Sequence, residues 1–335
     1  MKRVPLILRL VLSGALVGWL ASRLDWPDLG LTLAGAHRGL LGAALLGSPV
    51  LIFLLAWRLQ LLLRMQAIHV PFVDLLRMTW AGQFFNSFLP GTTGGDLFKL
   101  VQIGRLAPTA HTEGAAAIVL DRALAVAALA LLAAVAVVAE PAPLVSLLGQ
   151  GLAFRGVILA VLLAGAVAVA AVVAFRQRLG PVARLIDRGL TFLGGVVRAL
   201  TRSLHWGPLS AAAIVLSLLI HLGNFLAVYL LARALGIGIS FSQVLLMMPV
   251  VLFVIMLPLT INGHGLREVT MIGYFQLLGL AVGSGFGSGS QMAVALSLAF
   301  VANDLFCALP GGLWYLLSAD SRPRASAASA LPTSP

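Results

Sequence analysis

Two short stretches of this sequence combine residue types that could hold a charged group. The first runs Phe88-Leu89-Pro90-Gly91-Thr92-Thr93-Gly94-Gly95-Asp96 and continues to Lys99. The second runs Leu257-Pro258-Leu259-Thr260-Ile261-Asn262-Gly263-His264-Gly265 and continues with Arg267-Glu268. Both read Pro-x4-Gly-x3-Lys/Arg. Proline removes a backbone donor and glycine tolerates positive φ, so each stretch breaks a helix, at Pro90, Gly94 and Gly95 and at Pro258, Gly263 and Gly265. A helix restarting after such a break points free N–H groups and the positive end of its dipole at the break, which suits an anion. Lys99 and Arg267 lie on the first turns of those helices and add full charges. Asp96 and Glu268 favour the same helix starts and compete with an anion; as carboxylates they could instead exchange protons. Asp121-Arg122 and Asp304, beside Asn303, are further charges within apolar runs. Asn86 and Ser87 can satisfy freed backbone groups, and His264 can titrate or contact phosphate.

The elements that must position these residues are membrane helices. The chain is 60% hydrophobic and 10% charged, with a mean hydropathy of +1.04. A water-soluble domain cannot bury that much apolar surface. Roughly 20 apolar residues span a bilayer as helix. Six runs qualify: Pro5–Ala21, Leu40–Leu63, Gly114–Ala139, Ala153–Phe175, Pro208–Leu231 and Ser290–Leu317. Regions 72–110 and 241–283 are apolar but broken, and each reads as a re-entrant hairpin of two shorter helices. Broken backbone at membrane depth must be buried in protein or face a wet cavity, so the turns belong inside the bundle.

The fold class expected is therefore all-α, a polytopic helical bundle in one transmembrane domain, residues 1–318, followed by a disordered tail over 319–335. The two breaks head a longer correspondence. Arg64, Ile68, Val70 and Phe72 share their spacing with Arg233, Ile237, Ile239 and Phe241. This defines repeats over about 40–139 and 208–317, with the functional site at the broken segments. Lys2, Arg3 and Arg9 place the N-terminus in the cytoplasm, as Arg322 and Arg324 place the C-terminus. The arginine-rich segment 176–206 is cytoplasmic, and its part 181–202 reads either as an interfacial helix or as a solvated basic loop. Three crossings then separate Arg64 from Arg233, which makes the repeats inverted. The net charge of +11 serves topology and anionic lipid contact rather than nucleic acid.

Charge inside a bilayer costs at least ~2.5–3.5 kcal/mol per group on insertion scales, so these residues need partners. Asp96 and Lys99, three apart on one helix, can pair locally. Asp121-Arg122 and Arg267-Glu268 point apart and need distant partners; Arg122 with Glu268, and Arg267 with Asp96 or Asp304, form a plausible set. Ionic glue between helices is the alternative role for all of them. His221 and Asn224 read as interhelical hydrogen bonds. No P-loop, Gly-x-Ser-x-Gly, His-Glu-x-x-His or Cys/His metal spacing occurs, and Cys307 is alone. No cofactor, no metal and no catalytic residue are expected.

Asn86-x3-Pro90, Gly94-Gly95-Asp96, Lys99, Asp121-Arg122 and Pro258-x4-Gly263-x-Gly265-x-Arg267-Glu268, in that order, resemble the lysylphosphatidylglycerol synthase transmembrane family. The resemblance covers roughly residues 5–318. It implies a flippase-like domain that handles lipid or polyprenyl-lipid, with Lys99, Asp96, Arg122, Arg267 and Glu268 as its carriers. Nothing after residue 318 is long enough for an aminoacyl-transferase domain, so synthesis of lysylphosphatidylglycerol is not expected. The leading expectation is a bacterial inner-membrane protein that moves an anionic phospholipid or polyprenyl phosphate between leaflets. Its headgroup site is Lys99, Arg267, Arg122, Asn86 and His264; Asp96, Glu268, Asp121 and Asp304 gate or couple to protons. The alternative is a non-transporting accessory subunit of a lipid-modifying enzyme or glycosyltransferase. An enzyme using Asp121, Glu268 and Asp304 is a third reading, without a recognisable nucleophile or metal set.

Overall fold

The computed structural model describes residues 34–88, 94–107, 110–139, 207–256, 263–278 and 288–319, with the isolated positions 27 and 30. The expected spans at 5–21 and 153–175, the basic segment 176–206, the tail beyond 319 and the tips of both breaks, with Pro90 and Pro258, lie outside these residues.

Among the described residues all regular structure is helical. The helices are α1 (Arg38–Met65), α2 (Phe72–Phe88), α3 (Gly94–Leu106), α4 (His111–Ala139), α5 (Pro208–Ala234), α6 (Phe241–Met256), α7 (Leu266–Leu277) and α8 (Ser288–Ala319). At about 1.5 Å per residue, α1, α4, α5 and α8 are each about 40 Å or longer, more than the ~30 Å hydrocarbon core. All four are also apolar enough to cross a membrane, and the chain is a multi-pass membrane protein. The other four helices have 17, 13, 16 and 12 residues. They form the pairs α2–α3 and α6–α7, one on each side of a break. Leu46, Val138 and Leu317 are among the large side chains left exposed on the long helices. Such a surface fits hydrocarbon as its solvent.

Two apolar cores form, each drawn mainly from one half and completed by the other: Ala213 joins the first, and Ala44, Leu129 and Leu132 join the second. One apolar cluster gathers Leu62, Ile68, Val70, Leu75, Met78 and Ile103. The other contains Leu231, Ile237, Ile239, Val244, Met247 and Met271, which occupy the corresponding positions 168 or 169 residues later. The helix contacts repeat in the same way. Exchanging α1–α4 with α5–α8 maps α2–α8 onto α6–α4, α2–α3 onto α6–α7 and α3–α4 onto α7–α8. It likewise maps α1–α2 onto α5–α6, α1–α4 onto α5–α8 and α1–α8 onto α5–α4, and returns α1–α5 to itself. The α1–α5 pair is the broadest helix contact, and it is antiparallel. The His37 N–H, just before α1, donates to the Ala234 carbonyl at the end of α5 (2.8 Å). Further along, Leu51 lies against Gly223, and Arg58 reaches Ser217.

Helices α1, α6 and α8 each contain a proline (Pro49, Pro249 and Pro310), and near two of them a side chain bonds to a backbone carbonyl. Ser48 Oγ donates to the Ala44 carbonyl (2.9 Å), and Trp80 Nε1 in α2 donates to the Cys307 carbonyl (2.6 Å). Beside Pro310, a Cβ at Gly311 would collide with the Trp80 backbone, so α2 and α8 approach as closely as they do only with glycine there.

Helices α1 and α5 end alike. Ile68 N–H donates to the Leu63 carbonyl and Ala67 N–H to the Arg64 carbonyl; Ile237 and Gly236 repeat the pattern with Ala232 and Arg233. This is a Schellman end, whose penultimate residue takes a left-handed conformation. Gly236 adopts φ +75° freely, but Ala67 is held at φ +58°. A Cβ in that region costs about 1–2 kcal/mol, part of which glycine returns as unfolded-chain entropy. Ala67 is exposed, so no packing changes on its replacement. Ala67→Gly is expected to stabilise the protein by about 0.5–1 kcal/mol, read as a rise in the thermal midpoint in detergent; a lowered midpoint would refute the assignment.

Candidate functional site

The short helix α3 begins at the first break, where sequence expects orphan backbone donors. The structure satisfies one of them across the break. Gly95 N–H donates to Asn86 Oδ1 on α2 (2.7 Å), so Asn86 takes the role its position suggested. A Cβ on Gly95 would strike both the Gly82 carbonyl and the Asn86 amide. Glycine is therefore required for α3 to start against α2. Ser87 turns back on its own helix, donating to the Gln83 carbonyl (3.1 Å).

Among the described residues Asp96 forms no ion pair with Lys99. It is ion-paired with Arg122 of α4, which corrects the local pairing and also the pairing of Arg122 with Glu268. An adjacent residue, Asp121, faces elsewhere. Its carboxylate accepts from Arg58 Nε of α1 (2.7 Å), and both side chains are buried. Arg58 Nη1 also donates to Ser217 Oγ of α5 (3.1 Å). Three long helices from both halves thus meet on one guanidinium.

Lys99 completes the cluster. Its stem packs near Gly82, and the charged groups acting on its ammonium are Asp121, Asp96, Arg122 and Arg58. Among the described residues it forms no ion pair of its own. Three cations (Arg58, Lys99 and Arg122) face two carboxylates (Asp96 and Asp121). Among the described residues the basic side chains of this cluster outnumber the carboxylates by one, and Lys99 is the one outside an ion pair.

The second break is arranged differently. Gly263 and Gly265 have φ of +73° and +84°, the left-handed region that favours glycine. Gly265 N–H donates to Glu268 Oε2 (2.6 Å), so Glu268 turns back onto the start of its own helix, as its position suggested. Its other oxygen accepts from Ser297 Oγ of α8 (2.7 Å). Arg267 is 1% exposed, with its guanidinium 5.0 Å from the Phe300 ring centroid. It is a buried cation over an aromatic face, and its charge acts on Asp304 of α8. His264 in the turn lies within reach of Arg267 and Glu268. Here one guanidinium faces the two carboxylates Glu268 and Asp304, the reverse of the first balance.

The two clusters sit at different levels. On α1, Arg58 marks the first, while Ser48 accepts from the Asn303 amide of α8 (2.9 Å) beside the second. Ten residues separate them, about 15 Å along the helix. His221 contacts the Ala125 carbonyl through Nε2 (2.9 Å), the interhelical bond expected of it.

Sequence reasoning passed over Arg58, Ser48, Ser217 and Ser297. A signal for Arg58 existed: it is a cation well inside the Leu40–Leu63 span, where charge is costly. The serines carry no such signal, because serine is common in membrane helices.

Buried ion pairs and broken helices, set among long apolar helices, define a multi-pass membrane protein with charged groups inside its bundle. The model of the lysylphosphatidylglycerol synthase TM region family matches residues 6–311. The chain belongs to that family, a membrane domain associated with lipids and flippase-like in character. No curated protein and no solved structure matches it.

Removing one partner of a buried pair strands the other charge and typically costs about 3–5 kcal/mol, whereas replacing both by apolar residues is often neutral. Arg58→Met and Asp121→Leu singly are expected to be destabilising to that extent, and the double variant to recover most of the loss in thermal unfolding. Additive losses would show that the two side chains do not act as a pair.

Proposed function

We propose that this protein carries the anionic headgroup of a phospholipid or polyprenyl-phosphate lipid across the bacterial inner membrane. The observation that carries this reading is Lys99, outside any ion pair among the described residues, in a cluster whose basic side chains outnumber its carboxylates by one. An apolar bundle gains nothing from an unbalanced ammonium, whereas a phosphate would neutralise it. Arg122 sits beside it, with its side chain 36% exposed, and assists. A lone ammonium holds phosphate as a point charge and sets little orientation, which suits a group that must be released. Acyl chains stay in the bilayer while the headgroup crosses.

Two features support alternating access as the mechanism. The helix contacts are unchanged by exchange of the halves, and α1 and α5 run antiparallel. A rotation that exchanges two antiparallel helices has its axis perpendicular to both, which for membrane-spanning helices lies in the membrane plane. That is the relation of inverted repeats, each with a re-entrant pair, α2–α3 or α6–α7, and such repeats rock about a site near the midplane. Arg267, fully buried over Phe300, then acts as wall rather than contact. The chain works as a carrier and not as an enzyme, with its termini in the cytoplasm.

The test uses purified protein in proteoliposomes containing fluorescent phosphatidylglycerol, a neutral-headgroup lipid or a polyprenyl phosphate, with outer-leaflet label reduced chemically. Protein-dependent loss of signal is expected for an anionic lipid. Lys99→Ala should abolish it while the protein still inserts, and Lys99→Arg should retain it. Movement of an anionic lipid that Lys99→Ala leaves unchanged would overturn the site. Folded protein that moves no lipid would overturn transport in favour of an accessory role beside a lipid-modifying enzyme or glycosyltransferase.

A further inference from the structure

The antiparallel register between each restarted short helix and the long helix after it is the same in both halves. In the second half, Glu268 meets Ser297 and Arg267 lies over Phe300. In the first, Leu100 packs on the Ala115–Ala116 pair. Advancing Leu100 by 168 residues gives Glu268, the same shift that relates Lys99 to Arg267 and Gly95 to Gly263. Advancing Ala115 by 182 gives Ser297, and the same shift takes Asp121-Arg122 to Asn303-Asp304. The polar bonds obey it independently. Ser217 of α5 belongs to the Asp121 network, and its counterpart Ser48 of α1 bonds to Asn303. Both serines also donate to the carbonyl four residues back, Ala213 and Ala44.

Under these shifts the ion pair Asp96–Arg122 has a definite counterpart, His264 with Asp304. The chemistry is complementary again but with its sense reversed. In the first half the acid lies in the short helix's first turn and the base stands on the long helix; in the second the base is in the turn just before the short helix and the acid is on the long helix. Their states differ. Asp96 and Arg122 are joined. No hydrogen bond or ion pair joins His264 to Asp304 among the described residues, although the register set by Glu268–Ser297 and Arg267–Phe300 brings them to one level. The second short helix is thus held to its long neighbour along the first turn and not at its tip. The charged groups acting on His264 at this tip are Arg267 and Glu268 from α7; Asp304 of α8 feels Arg267, and α6 brings no ionisable side chain.

We propose that Asp96–Arg122 and His264–Asp304 are the two gates of the protein, one closed and the other open in this structure, and that they exchange states during transport. An imidazole N–H donating to the Asp304 carboxylate closes the second tip as Arg122 and Asp96 part at the first. Two halves with the same packing and opposite gate states are the arrangement that an alternating cycle passes through twice, once with each half closed. Asp96, Arg122, His264 and Asp304 thereby become gating residues, and Lys99 remains the ligand contact between them.

This inference rests on the transport reading, and its test needs no lipid movement. The sole cysteine, Cys307, is replaced by alanine, and His264→Cys with Asp304→Cys introduces a pair at the open gate. A disulfide requires Cα atoms within about 7 Å, so oxidation in nanodiscs, followed by peptide mass spectrometry, reports closure. The disulfide is expected to form, and to form at least about fivefold faster when Asp96→Asn unlocks the first gate, the lower bound of ordinary coupling between sites. Arg122→Gln should accelerate it equally, which provides a second variant where the first folds poorly. No disulfide in any background, or a rate indifferent to both first-gate variants, would overturn the gates. Coupled cross-linking in a protein that moves no lipid would overturn transport and leave the two-state exchange standing.

Discussion

The Arg58 guanidinium is the point on which the bundle turns. It is buried between α1, α4 and α5, bonded to Asp121 and to Ser217, and it ties the first half of the chain to the second where water is excluded. A charge in that position is tolerable only if its donors are answered and an opposing charge lies against it. Those demands fix the rotation of three helices at once. Fixing α4 in this way points the next residue, Arg122, toward Asp96 and so sets the start of α3. The residue types that interrupt the spans therefore do more than mark a site; they set the register of the helices that carry it.

The same economy governs the backbone. Each break frees donors that hydrocarbon cannot satisfy, and among the described residues a side chain answers one of them in each half: Asn86 from across the break in the first, Glu268 from within the same helix in the second. That difference has an electrostatic consequence. A neutral amide answers the first break, so Asp96 is free to hold Arg122, and the basic side chains of the cluster still outnumber its carboxylates among the described residues. A carboxylate answers the second, and the neighbouring cation, Arg267, is buried over an aromatic ring. Two halves with matching cores and matching helix ends thus present opposite charge balances about 15 Å apart along α1.

Much of this was legible in the sequence. The membrane class, the long helices α1, α4, α5 and α8, the broken pairs and the correspondence of the halves follow from hydropathy, from Pro and Gly at fixed spacing, and from the match of Arg64, Ile68, Val70 and Phe72 with their partners. Those four positions come out as an exposed cation, two buried aliphatics and a helix start in both halves. Local chemistry was legible too: Asn86 beside a break and Glu268 three residues after Gly265 are pairings that chain geometry alone dictates.

The partners of the remaining charges were decided by tertiary structure. Asp96 and Lys99 stand three apart on one helix, which permits a local pair, yet Asp96 reaches Arg122 on another helix because α3 packs against α4 there. Arg58 carried a signal as a cation in a span, but its partners are 63 and 159 residues away, and no local rule connects them. Periodicity and helix-breaking chemistry are properties of neighbouring residues, so sequence determined which segments span and where they break. Charge pairing at membrane depth depends on which helix faces meet, and only the packed bundle decides that.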